Sequence, residues 1–424
     1  MVEGASQLWP IVAKIGFMHI THLSLTNFRN YGRLELDLAP KATLLHGQNA
    51  QGKTNLLEAI YYLATTRSPH ADQDSQLLNW DAAQLDDPVV VGRLVAHIAT
   101  KQGSQQLEMR LIQERKNGPR SDNTSFRREV LVNRRKVRLM DLLGHLRVVL
   151  FIPEDVQIIT GSPTKRRRYL DITLCQIDPL YCRALSEYNK VLEQRNALLR
   201  QLAEGGGTRE LLSIYDEKLV HLGSQVFTRR ATFLSVIARE TQRIYYEELT
   251  SGNETITLSY LPRLQVAGPS RPEDVRDLVA LGKWIEANPE EVSERFATTT
   301  AAAYAADIGR GSTNVGPHRD DWRIWINGRN LSSYGSRGQQ RSAILALKMA
   351  EIIWMTKMTG ESPILLLDEV VAELDEQRRA LLLHYVQEST QAILTATDPA
   401  MFTADFLRNS TSLRVANGRI ETAS

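Results

Sequence analysis

The run Gly47-Gln48-Asn49-Ala50-Gln51-Gly52-Lys53-Thr54 constrains this chain more than any other segment. An apolar stretch from Ala42 to Leu45 precedes it and reads as a strand. Leu56, Leu57, Ile60, Tyr61, Leu63 and Ala64 follow at helical spacing. A strand, a glycine-bounded loop and a helix in this order make a phosphate-binding P-loop within an α/β fold. The glycines let consecutive backbone N–H groups curl around phosphate oxygens, and the helix N-terminus adds its dipole. Lys53 supplies positive charge to the β- and γ-phosphates, and the Thr54 hydroxyl suits Mg²⁺. The nucleotide-binding candidates here run from Gly47 through Asn55. A glycine-rich turn with no ligand is the competing reading, and it leaves the Gly-Lys-Thr ending without a reason.

The second half of such a site is expected far along the chain. Ile364-Leu-Leu-Leu367 is followed by Asp368-Glu369, a buried strand whose tip carries two carboxylates. Asp368 is expected to hold Mg²⁺ with Thr54, and Glu369 to orient and deprotonate the attacking water. Lys53 and Glu369 are the catalytic candidates. Upstream, Tyr334-Gly-Ser336-Arg337-Gly338-Gln339-Gln340-Arg341 opens a long helix that Gly360 is expected to stop. Ser336, Arg337, Gly338 and Gln339 read either as an ordinary serine N-cap or as a second anion site.

The turn Gly335 to Gln339 resembles the signature motif of ABC-type ATPases, in which the P-loop of one subunit and the signature of another enclose the same ATP. Glu373-Leu-Asp375 resembles the D-loop of that superfamily. Thr397-Asp398 stands at its switch position, where a His is usual. The spacing narrows the class further: Gly52 and Gly338 are 286 residues apart. Transporter ATPases have far shorter separations, and SMC-type proteins insert several hundred residues of coiled coil. Here the segment from about Pro179 to Thr250 reads as two helices broken at Gly205-Gly-Gly207. A helix of about 40 residues spans only about 60 Å, which makes an arm rather than a rod.

The full pattern resembles the RecF family of bacterial recombination mediators. The segments that carry it are Leu25-Thr-Asn-Phe28-Arg29-Asn-Tyr31, the P-loop continued to Ile60, Phe151 to Asp155, Gly161 to Asp171, Gly316-Pro-His-Arg-Asp-Asp321 and the signature, in family order from Met18 to near the C-terminus. The resemblance implies an ABC-type head with an antiparallel β layer, assembled from 18–171 and 301–424, and a helical arm at 172–300. It also implies slow ATP hydrolysis, homodimerisation with ATP bound, DNA binding in replication, repair and the SOS response, and work with RecO and RecR in loading RecA at gaps. Gln157 is the candidate for the metal-facing Q-loop glutamine. Arg29 is a candidate nucleotide contact, with a surface salt bridge as the alternative. An SMC-like or OLD-type ATPase remains the alternative within this class. A transporter ATPase or a metabolic P-loop kinase fits the arm and signature poorly.

Composition sets the remaining bounds. The chain has 424 residues, 42% hydrophobic and 24% charged, with a net charge of only +2, so overall basicity does not announce nucleic acid. Local clusters do: Arg127-Arg128, Arg134-Arg135-Lys136 and Lys165-Arg166-Arg167-Arg168 are DNA-backbone candidates, each with a solvated face as its alternative. The polar segment Lys116–Arg128 reads as a mobile hairpin loop. Asn117-Gly118, Asn327-Gly328 and Asn417-Gly418 mark tight turns. Two cysteines without metal spacing point to a reducing, cytoplasmic setting, and no apolar run is long enough for a bilayer. Residues 1–17 are expected to be a mobile extension ahead of Met18.

Overall fold

The computed structural model describes residues 17–84, 87–115, 124–264 and 275–422. Residues 1–16 and 116–123, which include most of the expected extension and the Asn117-Gly118 turn, lie outside that set. In chain order the strands are β1 (His19–Phe28), β2 (Tyr31–Asp37), β3 (Ala42–His46), β4 (Val89–Thr100), β5 (Gly103–Arg115), β6 (Thr124–Val132), β7 (Arg135–Val137) and β8 (Val148–Phe151). They continue with β9 (Ile256–Leu261), β10 (Asp321–Ile326), β11 (Arg329–Asn330), β12 (Ile364–Asp368), β13 (Ala392–Ala396), β14 (Thr411–Ala416) and β15 (Arg419–Thr422). The chain divides into two compact units, 1–154 with 351–424, and 155–350. The second takes in the segment expected as an arm together with 155–171 and 301–350.

The first unit holds two sheets. One is antiparallel in the order β2-β1-β4-β5-β6-β7, and the other runs β15-β14-β3-β13-β12-β8. Within the second sheet β8, β12, β13, β3 and β14 are parallel, and only β15 turns back. Every residue of β12 and β13 is buried, as expected of apolar runs in the middle of a parallel sheet. The P-loop helix, Lys53–Thr65, sinks Leu56, Leu57, Ile60 and Leu63 into the same core as Leu366, Ile393 and Leu413. That packing fixes the helix against the sheet, and with it the loop between them.

The basic clusters meet this framework unevenly. Arg127 and Arg128 do not lie in a loop: both are on β6, because the alternating sequence from Thr124 pairs with β5 in register. Arg128 bonds Asp74 at 2.8 Å and the Thr66 carbonyl at 3.2 Å, while Arg127 pairs with Glu114 and Glu129. Asn133 and Arg134 take φ of 51° and 65°, so the second cluster begins inside a tight β6–β7 turn. Arg134, Arg135 and Lys136 are all exposed at its tip. The Asn-Gly pairs at 327–328 and 417–418 also take positive φ at both residues, the geometry of type I′ hairpins.

The second unit contains a three-stranded antiparallel sheet, β11-β10-β9, and the expected helices at Pro179–Ala203 and Glu210–Arg243. Both are tied down by buried arginines. Arg195 is wholly buried between Asp216 at 2.6 Å and Asp307 at 2.8 Å. Arg230 bonds Asp171 at 2.7 Å and the Pro317 carbonyl at 2.6 Å. Removing one partner of such a pair typically costs about 3–5 kcal/mol.

The motif Gly316 to Asp321 is the knot of this unit. Gly316 has φ of 122°, and a Cβ there would stand 2.5 Å from the Tyr188 hydroxyl. Asp320 is buried and accepts from the Tyr260 hydroxyl and the Arg263 amide. Asp321 makes a two-point ion pair with Arg166 at 2.6 and 3.0 Å, which places Arg166 inside the protein and takes it out of the surface cluster. Arg167 is likewise directed inward, to the Asp320 carbonyl at 2.7 Å.

His318 sits between the Thr313 carbonyl, 3.0 Å from Nε2, and the Tyr188 hydroxyl, 2.7 Å from Nδ1. A carbonyl only accepts, so Nε2 carries the proton and Nδ1 accepts from Tyr188. This arrangement is complete for a neutral ring, and burial pushes the pKa down to about 4. Because the folded value lies below the unfolded one, stability is full above about pH 6.5 and falls as pH drops toward about 4. The loss is expected to be on the order of 3 kcal/mol. Denaturant melts at pH 7 and pH 4.5 should show it, and a His318→Asn variant should lose most of the difference. An equal pH dependence in both proteins contradicts the assignment.

Candidate nucleotide site

Three adjacent parallel strands end at one place. Leu45 and His46 of β3 register with Thr395 and Ala396 of β13, and Thr395 registers with Asp368 of β12. In parallel sheets this carboxyl edge is where ligands bind. The P-loop leaves β3 here with Gly47 at φ 144° and Gly52 at φ 115°. A Cβ on Gly47 would stand 2.4 Å from the Val415 carbonyl, and one on Gly52 would stand 2.6 Å from the Asn30 amide. Both positions therefore demand glycine for space as well as for φ.

The back of the loop is braced by two segments far from it in sequence. Asn30 donates to the Gln51 carbonyl at 2.9 Å, and Tyr31 to the Gly52 carbonyl at 2.9 Å. The Asn417-Gly418 turn donates both its amides to Gln51, to Oε1 at 2.8 Å and to the carbonyl at 3.0 Å. Asn55 bonds Asn30 at 2.8 Å rather than standing free. Two hairpin turns distant in sequence thus hold the loop open, with Gln48, Asn49 and Ala50 at its rim.

At the front, the Lys53 ammonium donates to the carbonyls of Gly47 at 2.8 Å and Gln48 at 3.0 Å. It also lies 3.3 Å from Glu369 Oε1. The Thr54 hydroxyl donates to Asp368 Oδ1 at 3.0 Å, and the Thr395 hydroxyl donates to the same oxygen at 2.7 Å. Burial pushes the Asp368 carboxyl upward, while the two hydroxyls pull it back. A buried carboxylate beside a threonine hydroxyl is a hard oxygen donor pair of the kind Mg²⁺ accepts. Mg²⁺ commonly takes only one or two protein ligands beside phosphates and waters. Among the described residues no group of three or more His, Cys, Asp or Glu stands ready to hold a metal, so this pair is the metal candidate.

Glu369 adopts φ 54°, a left-handed conformation held by its N–H on Thr395 Oγ1 at 2.9 Å. Its carboxylate is 40% exposed beside Lys53. Thr395, two residues before the expected switch, thus bonds both the Asp368 carboxylate and the Glu369 amide. Thr397 is exposed just past β13. Arg29 is committed to Glu58 on the P-loop helix by two bonds of 2.8 and 2.9 Å, so it acts here as a salt bridge.

The remaining site residues lie in the second unit or past β12. The Ser336 hydroxyl accepts from the Gln339 amide at 3.2 Å, and Gln339 Oε1 accepts from the Ser336 amide at 2.9 Å. This reciprocal capping box starts the helix Arg337–Thr359. The ordinary N-cap is thus present; Arg337 beside it is exposed to solvent and Gly338 is half-buried. Asp375 caps the helix Glu376–Glu388 through the Arg378 amide at 3.0 Å. Gln157 accepts from Lys165.

The RecF/RecN/SMC N terminal domain model matches residues 19–419. The DNA replication and repair protein RecF of Chloroflexus aurantiacus is 40% identical over 408 residues, covering 95% of this chain and 99% of that one. This chain belongs to the RecF family. The RecF of Roseiflexus castenholzii is 38% identical over the same share of both chains. Among solved structures, one described as the recombination mediator protein RecF with ATP in the RecFOR pathway superposes with a TM-score of 0.80 at 29% identity, covering 96% of this chain and 98% of that one. The fold is accordingly that of a RecF α/β ATPase head. No helix among the described residues is long and apolar enough to cross a membrane.

Proposed function

We propose that this RecF-family chain is an ATP-driven, dimerising DNA clamp and a slow ATPase. In that role it would act as a recombination mediator that helps RecO and RecR load RecA at gaps. The observation that carries this reading is the convergence at one sheet edge of Lys53 with Glu369 and of Thr54 with Asp368. That convergence supports reading Lys53 as a phosphate-binding cation, Glu369 as the base and Thr54 with Asp368 as the metal-holding pair. Bound Mg²⁺ would neutralise charge on the β- and γ-phosphates. Lys53 would exchange its loop carbonyls for phosphate oxygens, and Glu369 would take the proton of the attacking water.

The signature turn belongs to the other compact unit, and in the ABC arrangement it serves the P-loop of a second copy. A two-fold dimer then makes two equivalent sites. The γ-phosphate is the group that distinguishes ATP from ADP at Ser336, so ATP alone would close the dimer. DNA would be held by backbone contacts from the cations that the fold leaves on the surface, chiefly Arg134, Arg135 and Lys136, with Lys165 and Arg168.

DNA affinity is expected to require ATP, to vary little with sequence and to fall steeply with salt. In an Arg134→Asn/Arg135→Gln/Lys136→Gln protein, the slope of log affinity against log salt should shrink by about 0.9 for each DNA phosphate that these side chains neutralise. Titration of fluorescent duplex at several salt concentrations measures it. An unchanged slope together with unchanged affinity returns that hairpin tip to an ordinary solvated surface.

A further inference from the structure

Outside the nucleotide site, the second unit has a recess of about 250 Å³ whose polar lining comes from Gly161, Arg166, Arg323, Asn330, Ser332 and Ser333. No carboxylate lines it. The charge of Arg166 is spent on Asp321 at 2.6 Å, whereas Arg323 reaches the same carboxylate only at 3.9 Å and stays 43% exposed. Asn330 Oδ1 accepts from the Ser332 amide at 2.9 Å, which leaves its side-chain nitrogen as a donor. The recess therefore offers a guanidinium, two hydroxyls and an amide around one uncompensated positive charge. Arginine with hydroxyl donors is the chemistry that recognises tetrahedral oxyanions.

We propose that this recess is a second phosphate-binding site, separate from the P-loop. It has a mechanical connection to the signature. Ser332 and Ser333 belong to the short helix Leu331–Tyr334, which runs directly into Gly335 and Ser336. Gly335 is pressed so closely on that helix that a Cβ would stand 2.6 Å from the Leu331 carbonyl. Gln340, on the signature helix, donates to the same carbonyl at 3.4 Å. A phosphate held by the two serines would thus restrain the segment that positions Ser336. The phosphate could be free in solution or part of a nucleic-acid backbone, and the two sources are separable.

The test uses full-length protein in a Lys53→Ala background, so that phosphate at the P-loop does not contribute. Inorganic phosphate should bind saturably by calorimetry and raise Tm. Arg323→Gln, a change at a half-exposed residue, should weaken that binding at least tenfold, Ser332→Ala/Ser333→Ala should do likewise, and Arg323→Lys should keep part of it. Duplex DNA is titrated in parallel against proteins with an intact P-loop. If Arg323→Gln weakens DNA binding and phosphate competes with DNA, the recess holds a backbone phosphate. If DNA binding is unchanged while phosphate binding disappears, it holds a free phosphate. Absence of phosphate binding in the Lys53→Ala protein, or binding that Arg323→Gln leaves intact, overturns the proposal.

Discussion

Lys53→Ala is expected to weaken ATP binding by roughly 100-fold or more. The ammonium is the P-loop's own positive charge, and loss of its charge-assisted bonds to phosphate is worth about 3 kcal/mol. The structure adds a cost that the sequence did not show. Lys53 is only 3% exposed and binds the carbonyls of Gly47 and Gln48, so its removal leaves two loop acceptors without their donor. A loss of about 1–3 kcal/mol of stability should accompany the change. The loop's outer braces at Asn30, Tyr31 and Gln51 remain, so the protein should still fold. Calorimetric titration with ATP, alongside a thermal melt, separates the two effects. Normal ATP affinity in a folded Lys53→Ala protein contradicts the site.

Glu369→Gln should leave ATP binding near wild type and slow hydrolysis by at least about 100-fold, the size of a general-base loss. The substitution keeps the shape of the side chain, and the backbone N–H bond to Thr395 that holds the left-handed turn is untouched. The Glu369 carboxylate is 40% exposed and Lys53 keeps its bonds to the Gly47 and Gln48 carbonyls, so little stability is at stake. Single-turnover hydrolysis measures the effect directly. A rate equal to wild type removes Glu369 from the role of base.

Much of the candidate site was legible because its parts are local. The P-loop, its helix and the Asp368-Glu369 strand tip each announce themselves within a dozen residues, through glycine spacing, helical periodicity and an apolar run ended by carboxylates. The helices after Pro179 and their break near Gly205 were legible for the same reason. Groups that act across the chain were not. Asn417-Gly418 looks like any hairpin turn until it is seen holding Gln51. Thr395 lies inside a buried strand and carries no motif of its own. The basic clusters were legible only in part, because a row of arginines does not say which of them has a carboxylate waiting. Arg166 meets Asp321, 155 residues away in sequence, and only the fold brings them together. His318 belonged to a recognisable motif, yet its role depends on Tyr188 and Thr313, neither of which marks itself.

If ATP closes two copies of this chain through the signature turn, sedimentation will show it. Wild-type protein is run with a slowly hydrolysed ATP analogue at saturation, with ADP, and without nucleotide, beside Ser336→Arg. The substitution removes a helix cap worth about 1 kcal/mol, which the 23-residue helix behind it should tolerate, and circular dichroism checks that it does. Wild type should be a dimer with the analogue only. Ser336→Arg should be a monomer in every condition, with ATP binding to that monomer retained. A wild-type protein that stays monomeric with the analogue bound, or a Ser336→Arg protein that dimerises equally well, contradicts the clamp.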